Sequence, residues 1–134
     1  MSQEIEIIVR VLAAGAFGAI IGIQRERAGK PAGLRTHILI CMGSALFTVI
    51  SIYGFAGATD PSRVAAGIVA GIGFLGAGVI FRSMRGPVVV GLTTAASVWF
   101  TAAIGMASGV GMYLIAAIAT IVALLVLYIP KAKG

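Results

Sequence analysis

Long apolar stretches alternate along this chain with short polar interruptions. The apolar runs cover about residues 5–24, 36–55, 62–82, 88–107 and 110–129. Crossing the hydrocarbon core takes about 20 mostly apolar residues in a helix, so the pattern predicts five transmembrane helices. The interruptions carry turn chemistry. Gln24-Arg25-Glu26-Arg27-Ala28-Gly29-Lys30-Pro31 closes the first run, and Gly57 to Ser62 closes the second, with Asp60 suited to a helix N-cap and Pro61 to a first turn. Arg82 to Pro87 ends the third, Ser108-Gly109 makes a tight turn, and Pro130 stops the fifth. The expected fold is therefore an all-α membrane protein: one transmembrane domain over residues 1–134, a bundle of five helices with no soluble domain.

Composition strengthens this reading. Of 134 residues, 60% are hydrophobic and 10% charged, whereas a soluble domain carries about 25% charged residues. Most of the outer surface must then face lipid. The net charge of +6 would suggest nucleic acid in a soluble chain. Here the bases sit between apolar runs, so they read as topology signals and no nucleic-acid partner is expected. Arg25, Arg27, Lys30 and Arg35, then Arg82 and Arg85, then Lys131 and Lys133 all fall on one face of a five-span arrangement; the other face has Arg63 beside Asp60, and Glu4 and Glu6. The positive-inside rule puts the N-terminus outside and the C-terminus in the cytoplasm. Tyr53, Tyr113 and Tyr128 fall near span ends, as interfacial aromatics do. With Glu4, Glu6 and Arg10 the start does not resemble a secretory signal, so the first helix is expected to stay. The single Cys41 lies inside an apolar run and reads as a buried, inert thiol.

The 19 glycines are patterned. Gly15, Gly18 and Gly22 form a small stripe on the first helix, which lets backbones approach in lipid. In the third helix, at about 100° per residue, Gly67, Gly71 and Gly78 share one face and Gly73 and Gly76 lie opposite. That pattern predicts a helix in the middle of the bundle, packed on both sides. Gly71-Ile72-Gly73-Phe74-Leu75-Gly76 fits the dinucleotide fingerprint only by accident, since no strand precedes it.

Ionisable groups at membrane depth are candidate functional residues. Arg10 lies two turns into the first helix and either pairs with Asp60, which neighbours Arg63, or snorkels to headgroups. A second group shares one depth: Gln24, Arg25 and Glu26, then Arg35, Thr36 and His37, then Thr93 and Thr94. A shared polar pocket is one reading; headgroup anchoring of the arginines and a locally bonded His37 are the other. Trp99 is expected in the core. There are no paired carboxylates, no Ser/His/Asp arrangement and no Cys/His spacing for a metal, so no enzyme, cofactor or metal centre is expected.

Several ordered motifs then resemble the transmembrane domain of the MgtC/SapB family of bacterial inner-membrane proteins. They are Gly22-Ile23-Gln24-Arg25-Glu26, Ala32-Gly33-Leu34-Arg35-Thr36-His37, Asp60-Pro61-Ser62-Arg63-Val64-Ala65-Ala66, Gly71 through Ile80, and Gly91-Leu92-Thr93-Thr94-Ala95-Ala96. The resemblance implies a five-helix domain with a cytoplasmic C-terminus and no enzymatic activity. It implies a regulator linked to low-magnesium adaptation, virulence and restraint of the F-type ATP synthase. Many members carry an acid where this chain has Gln24, a Gln where it has Gly67, and a soluble C-terminal domain expected to be absent here. Two functions stay open: a regulator that binds another membrane protein, or a small-ion transporter or channel working as an oligomer such as a homodimer. A dry, packed centre favours the first, and a hydrated cavity at His37, Thr93 and Asp60 the second.

Overall fold

The computed structural model describes residues 2–57, 60–83 and 90–130. Arg85, Lys131, Lys133 and the expected helix start at Val88 lie outside the described residues. Five helices follow one another: α1 Gln3–Arg27, α2 Leu34–Tyr53, α3 Ser62–Ser83, α4 Leu92–Gly109 and α5 Tyr113–Leu127, with no strand among the described residues.

The helix ends are chemically specified. The Ser2 side chain accepts from the Ile5 amide at 3.3 Å, Glu4 and Glu6 occupy the first turn of α1, and Arg25 and Arg27 its last. Those charges complement the helix dipole. Gly29 then takes φ +70°, while its amide donates to the Glu26 carbonyl and that of Lys30 to Arg25, both at 3.0 Å. This is a Schellman stop, and its left-handed residue favours glycine. The same device ends α4 at Gly111, with φ +86° and the Met112 amide donating to the Ala107 carbonyl at 2.8 Å. Gly91, at φ +90°, sets the start of α4 at Leu92, later than the apolar run alone suggests.

Helices α1, α2 and α4 form the centre, and their backbones nearly touch. A Cβ added at Gly18 would lie 2.6 Å from the His37 carbonyl oxygen, and one at Gly22 2.8 Å from Leu34 Cα. At Gly109 it would lie 2.7 Å from Thr48 Cβ, and Gly105 is pressed against the Cys41 carbonyl. In lipid such close approach replaces the hydrophobic drive that assembles soluble cores. The buried interior is accordingly rich in small residues and hydroxyls: Ser44, Thr48, Ser97, Thr101, Ser108 and Thr120 lie beside Ala14, Ala45, Ala102 and Ala116, with Ile21, Val49, Val98 and Ile104 as its larger apolar members. Large apolar side chains point outward, Leu39, Phe74 and Leu114 each at least 70% exposed. A soluble protein could not keep so much apolar surface in water. Three helices, Gln3–Arg27, Leu34–Tyr53 and Ser62–Ile80, are long and apolar enough to cross a membrane; Tyr113–Leu127 is apolar but shorter.

The expectation for α3 is overturned. Among the described residues it is α4 that touches all four other helices, while α3 meets α4 and, more lightly, α2. Gly67, Gly71, Gly73 and Gly78 have nothing within 4 Å of an added Cβ, and Gly76 faces Ala95 at 3.5 Å. The reason is physical: a glycine notch permits close approach but does not supply the partner. Helix α4 takes the centre because Thr94, Ser97, Thr101, Gly105 and Ser108 recur every three or four residues, a narrow stripe of small residues that Arg25 and the Arg10 carbonyl meet from α1 and His37 from α2. Trp99, expected in the core, is 55% exposed on the outer side of α4.

Substitution should separate these two kinds of glycine. Gly18→Ala forces a methyl into the His37 backbone and is expected to cost about 1–3 kcal/mol, as overpacking does. Gly71→Ala and Gly73→Ala meet open space and are expected to leave thermal unfolding unchanged or slightly raised. Circular dichroism melts of detergent-solubilised protein measure both; equal destabilisation at Gly18 and Gly71 contradicts this packing.

Candidate functional site

Two polar clusters sit at opposite ends of α1. At the first, Arg10 is only 8% exposed. Its Nη2 pairs with Glu6 one turn earlier, and its Nη1 donates to the Gly109 carbonyl at 3.0 Å. The guanidinium lies 5.5 Å over the Tyr53 ring, and the Ser108 hydroxyl donates to the Arg10 carbonyl at 2.7 Å. Gly111 leaves room for it, since an added Cβ there would stand 3.4 Å from Arg10 Cζ. A cation at the carbonyl end of α4 satisfies an orphan acceptor and the dipole together. Arg10 thus neither pairs with Asp60 nor snorkels; it binds α1 to the end of α2 and the α4–α5 turn.

Asp60 is exposed and serves α3. Its carboxylate accepts from the Ser62 amide at 3.0 Å and the Ser62 hydroxyl at 2.7 Å. These bonds hold its pKa below the ordinary aspartate value. Arg63 is exposed and its amide donates to the Asp60 carbonyl at 3.2 Å. The Ser51 hydroxyl donates to the Pro61 carbonyl at 3.1 Å and ties the end of α2 to this start.

At the other end the structure unites three of the expected residues, Arg25, His37 and Thr94, with one that was not foreseen, Ser97. Arg25 is 2% exposed and its Nη2 donates to Thr94 Oγ1 at 3.0 Å. His37 is fully buried, with Nδ1 2.9 Å from the Gly33 carbonyl and Nε2 3.0 Å from Ser97 Oγ. The Gly33 oxygen can only accept, so Nδ1 carries the proton; a neutral ring then accepts at Nε2 from the Ser97 hydroxyl. Ser97 Oγ also lies 2.8 Å from the Thr94 carbonyl, and its one hydrogen serves a single acceptor at a time. Gly22 makes this geometry possible, because an added Cβ would lie 3.2 Å from His37 Cβ.

The remaining residues stay apart. Glu26 is exposed and accepts from the Leu34 amide at 3.0 Å, which caps α2 because Gly33 has no side chain to do so. Gln24 faces α5 beside Leu124 and Tyr128, with its Oε1 buried and unpartnered. Arg35, Thr36 and Thr93 are exposed. Cys41 is fully buried. Ser97, Ser44 and Ser108 were legible only as small polar residues in register on α2 and α4. The Ser44 hydroxyl donates to the Ala102 carbonyl at 2.9 Å. Among the described residues no three His, Cys, Asp or Glu side chains gather as a metal site would require.

A helical chain with a small, hydroxyl-rich interior and an apolar exterior defines a membrane-protein domain. The MgtC family model matches residues 11–133, and the chain belongs to that family. It is 54% identical over 130 residues to YhiD of Escherichia coli strain K12, whose name proposes a magnesium transporter; the match covers 91% of this chain and 59% of that protein. It is 46% identical over 130 residues to SrpB of Synechococcus elongatus, covering 88% of this chain and 71% of that one. To MgtC of Salmonella typhimurium it is 46% identical over 117 residues, covering 87% and 49%. The chain thus spans about half to seven-tenths of the length of these relatives. No solved structure matches it significantly.

Acid should loosen the start of α3. Because folding lowers the Asp60 pKa, its stabilising effect is complete above the ordinary aspartate value and is lost as pH falls through the lowered one. Hydrogen exchange at residues 62–65 is expected to be slow at neutral pH and to lose protection in strong acid, after correction for intrinsic rates. Asp60→Ala should show the unprotected behaviour at both.

Proposed function

We propose that this chain is a five-span domain of the bacterial cytoplasmic membrane, N-terminus outside, acting as a non-enzymatic regulator that binds another membrane protein in magnesium homeostasis. The alternation of the helices agrees with that topology. Arg25 near the end of α1 bonds Thr94 at the start of α4, and Arg10 near the start of α1 bonds Gly109 at the end of α4. The name of YhiD supports the magnesium context. The F-type ATP synthase, which the family resemblance suggests, is the first partner to test, and a second copy of the chain is the next.

One observation carries the regulatory reading: the layer between the two polar clusters is filled. Cys41, Ala45, Thr101 and Ile104 are all at most 1% exposed there. The Gly18, Gly105 and Gly109 contacts bring the backbones of α1, α2 and α4 together with no width for an ion path. Asp60 is exposed at one end and Thr93 at the other, while His37 is fully buried. Room for a partner lies outside, in a cleft of about 490 Å³ between α2 and α3 that includes Ile40, Gly43, Phe47, Gly67 and Gly71. A transmembrane helix of another protein fits that cleft by the same small-residue packing that holds the centre.

The name of YhiD keeps transport as the competing reading. Flux of Mg²⁺, H⁺, K⁺ and anions through protein reconstituted in liposomes decides between them. No flux above empty liposomes is expected, and flux that Asp60→Ala abolishes makes the protein a transporter. Gly71→Leu puts side-chain volume into the α2–α3 cleft from a position where an added Cβ meets nothing within 4 Å. It is expected to keep the fold and abolish co-purification with the F-type ATP synthase from bacterial membranes.

A further inference from the structure

Arg25 suits the carbonyl end of its own helix, α1, but no carboxylate matches it on the side that faces α4. It is 2% exposed, and its Nε, like that of Arg10, has no hydrogen-bond partner, but unlike Arg10 it has no paired carboxylate among the described residues. All four acids of the chain are engaged or distant: Glu4 and Glu6 in the first turn of α1, Glu26 at the Leu34 amide, Asp60 at Ser62. The neutral partner of Arg25, Thr94, sits in the first turn of α4. A helix start carries partial positive charge, so a buried cation against it is repelled. Arg10 has the opposite and favourable placement, at the carbonyl end of the same helix.

The surroundings supply what an anion needs. Arg25 lines a cleft of about 720 Å³ together with Lys30, Gly91, Thr93 and Thr94. The N-cap of α4 is Gly91, which provides no side-chain cap. Its first turn therefore offers free amides where a helix N-terminus binds anions. Among the described residues lining the cleft none is acidic, and Val126, Leu127 and Ile129, at and just beyond the end of α5, give it one apolar wall.

The geometry points to an anion site for a phosphate-type oxyanion, held by the Arg25 guanidinium, the amides opening α4, the Thr93 hydroxyl and Lys30 at the rim. Such a group neutralises the buried cation and complements the helix start together. A soluble phosphate and the headgroup of an anionic phospholipid share this chemistry, the lipid adding chains for the apolar wall.

The test uses the full chain, delipidated in dodecyl maltoside, which carries no phosphate. Inorganic phosphate is titrated in one arm and phosphatidylglycerol in the other, with thermal stability and native mass spectrometry as readouts. A rise in melting temperature with a matching bound mass is expected in at least one arm, and the arm that responds identifies the source. Lys30→Gln should weaken binding about fivefold, as loss of one rim charge does, and Arg25→Gln by about tenfold or more, as loss of a buried charged bond does. Arg27→Gln removes the same charge from the same last turn of α1, outside the residues lining this cleft, and should bind as the parent does. Should Arg25→Gln not fold, the Lys30 and Arg27 variants still discriminate. No response in either arm, or equal weakening by Arg27→Gln and Lys30→Gln, overturns the site.

Discussion

Backbone contact among α1, α2 and α4 is the constraint on which the other features depend. In lipid an apolar side chain gains little by leaving one hydrocarbon environment for another, so helices adhere where their main chains can come close. Gly18, Gly22, Gly105 and Gly109 provide that approach. Once the backbones are near, short hydroxyl side chains can reach carbonyls on the next helix, as Ser44 reaches Ala102 and Ser108 reaches Arg10. Such bonds average about 0.6 kcal/mol in membranes, with a ceiling of about 1.7. Several in register hold three helices in one geometry where a bulkier interface would slide.

The same contact explains why two arginines can be buried in a thin bundle. Both act on α4, one at each end, and the ends are not equivalent. At the carbonyl end Arg10 finds Gly109, Glu6 and the face of Tyr53, so its charge is met from three directions. At the amide end Arg25 finds a hydroxyl. Each guanidinium leaves its Nε without a partner, but Arg10 is paired with a carboxylate and Arg25 is not.

Much of this was legible in the sequence, for identifiable reasons. Bilayer thickness dictates helix length, so five helical stretches could be read from apolar runs. Depth along a helix is also legible, which is why Arg25, His37 and Thr94 were grouped before their contacts were known. Azimuth is not: Gln24, Arg35 and Thr36 share that depth but point elsewhere, because a rotation of about 100° per residue separates neighbours that composition treats alike. The Arg10–Asp60 pairing failed for a related reason, since Glu6 lies one turn away on the same helix face and Asp60 is taken by its own helix start. The glycines of α3 misled because they record permission for contact, while the hydroxyl stripe of α4, which makes the contacts, looks unremarkable in composition.

Helix α3 rests on α4 and, lightly, on α2, and leaves most of its surface to lipid. Its detachment would break few interhelical bonds, chiefly the one from Ser51 to Pro61, whereas displacing α4 would break nearly all of them. Stability in such a bundle is divided into cooperative units of unequal depth. The bonded centre of α1, α2 and α4 is the unit expected to open last, and α3 and α5, which make no side-chain hydrogen bond to another helix among the described residues, are expected to open at lower cost. The molecule is therefore better regarded as a three-helix mast with two outer helices leaning on it than as a uniform cylinder.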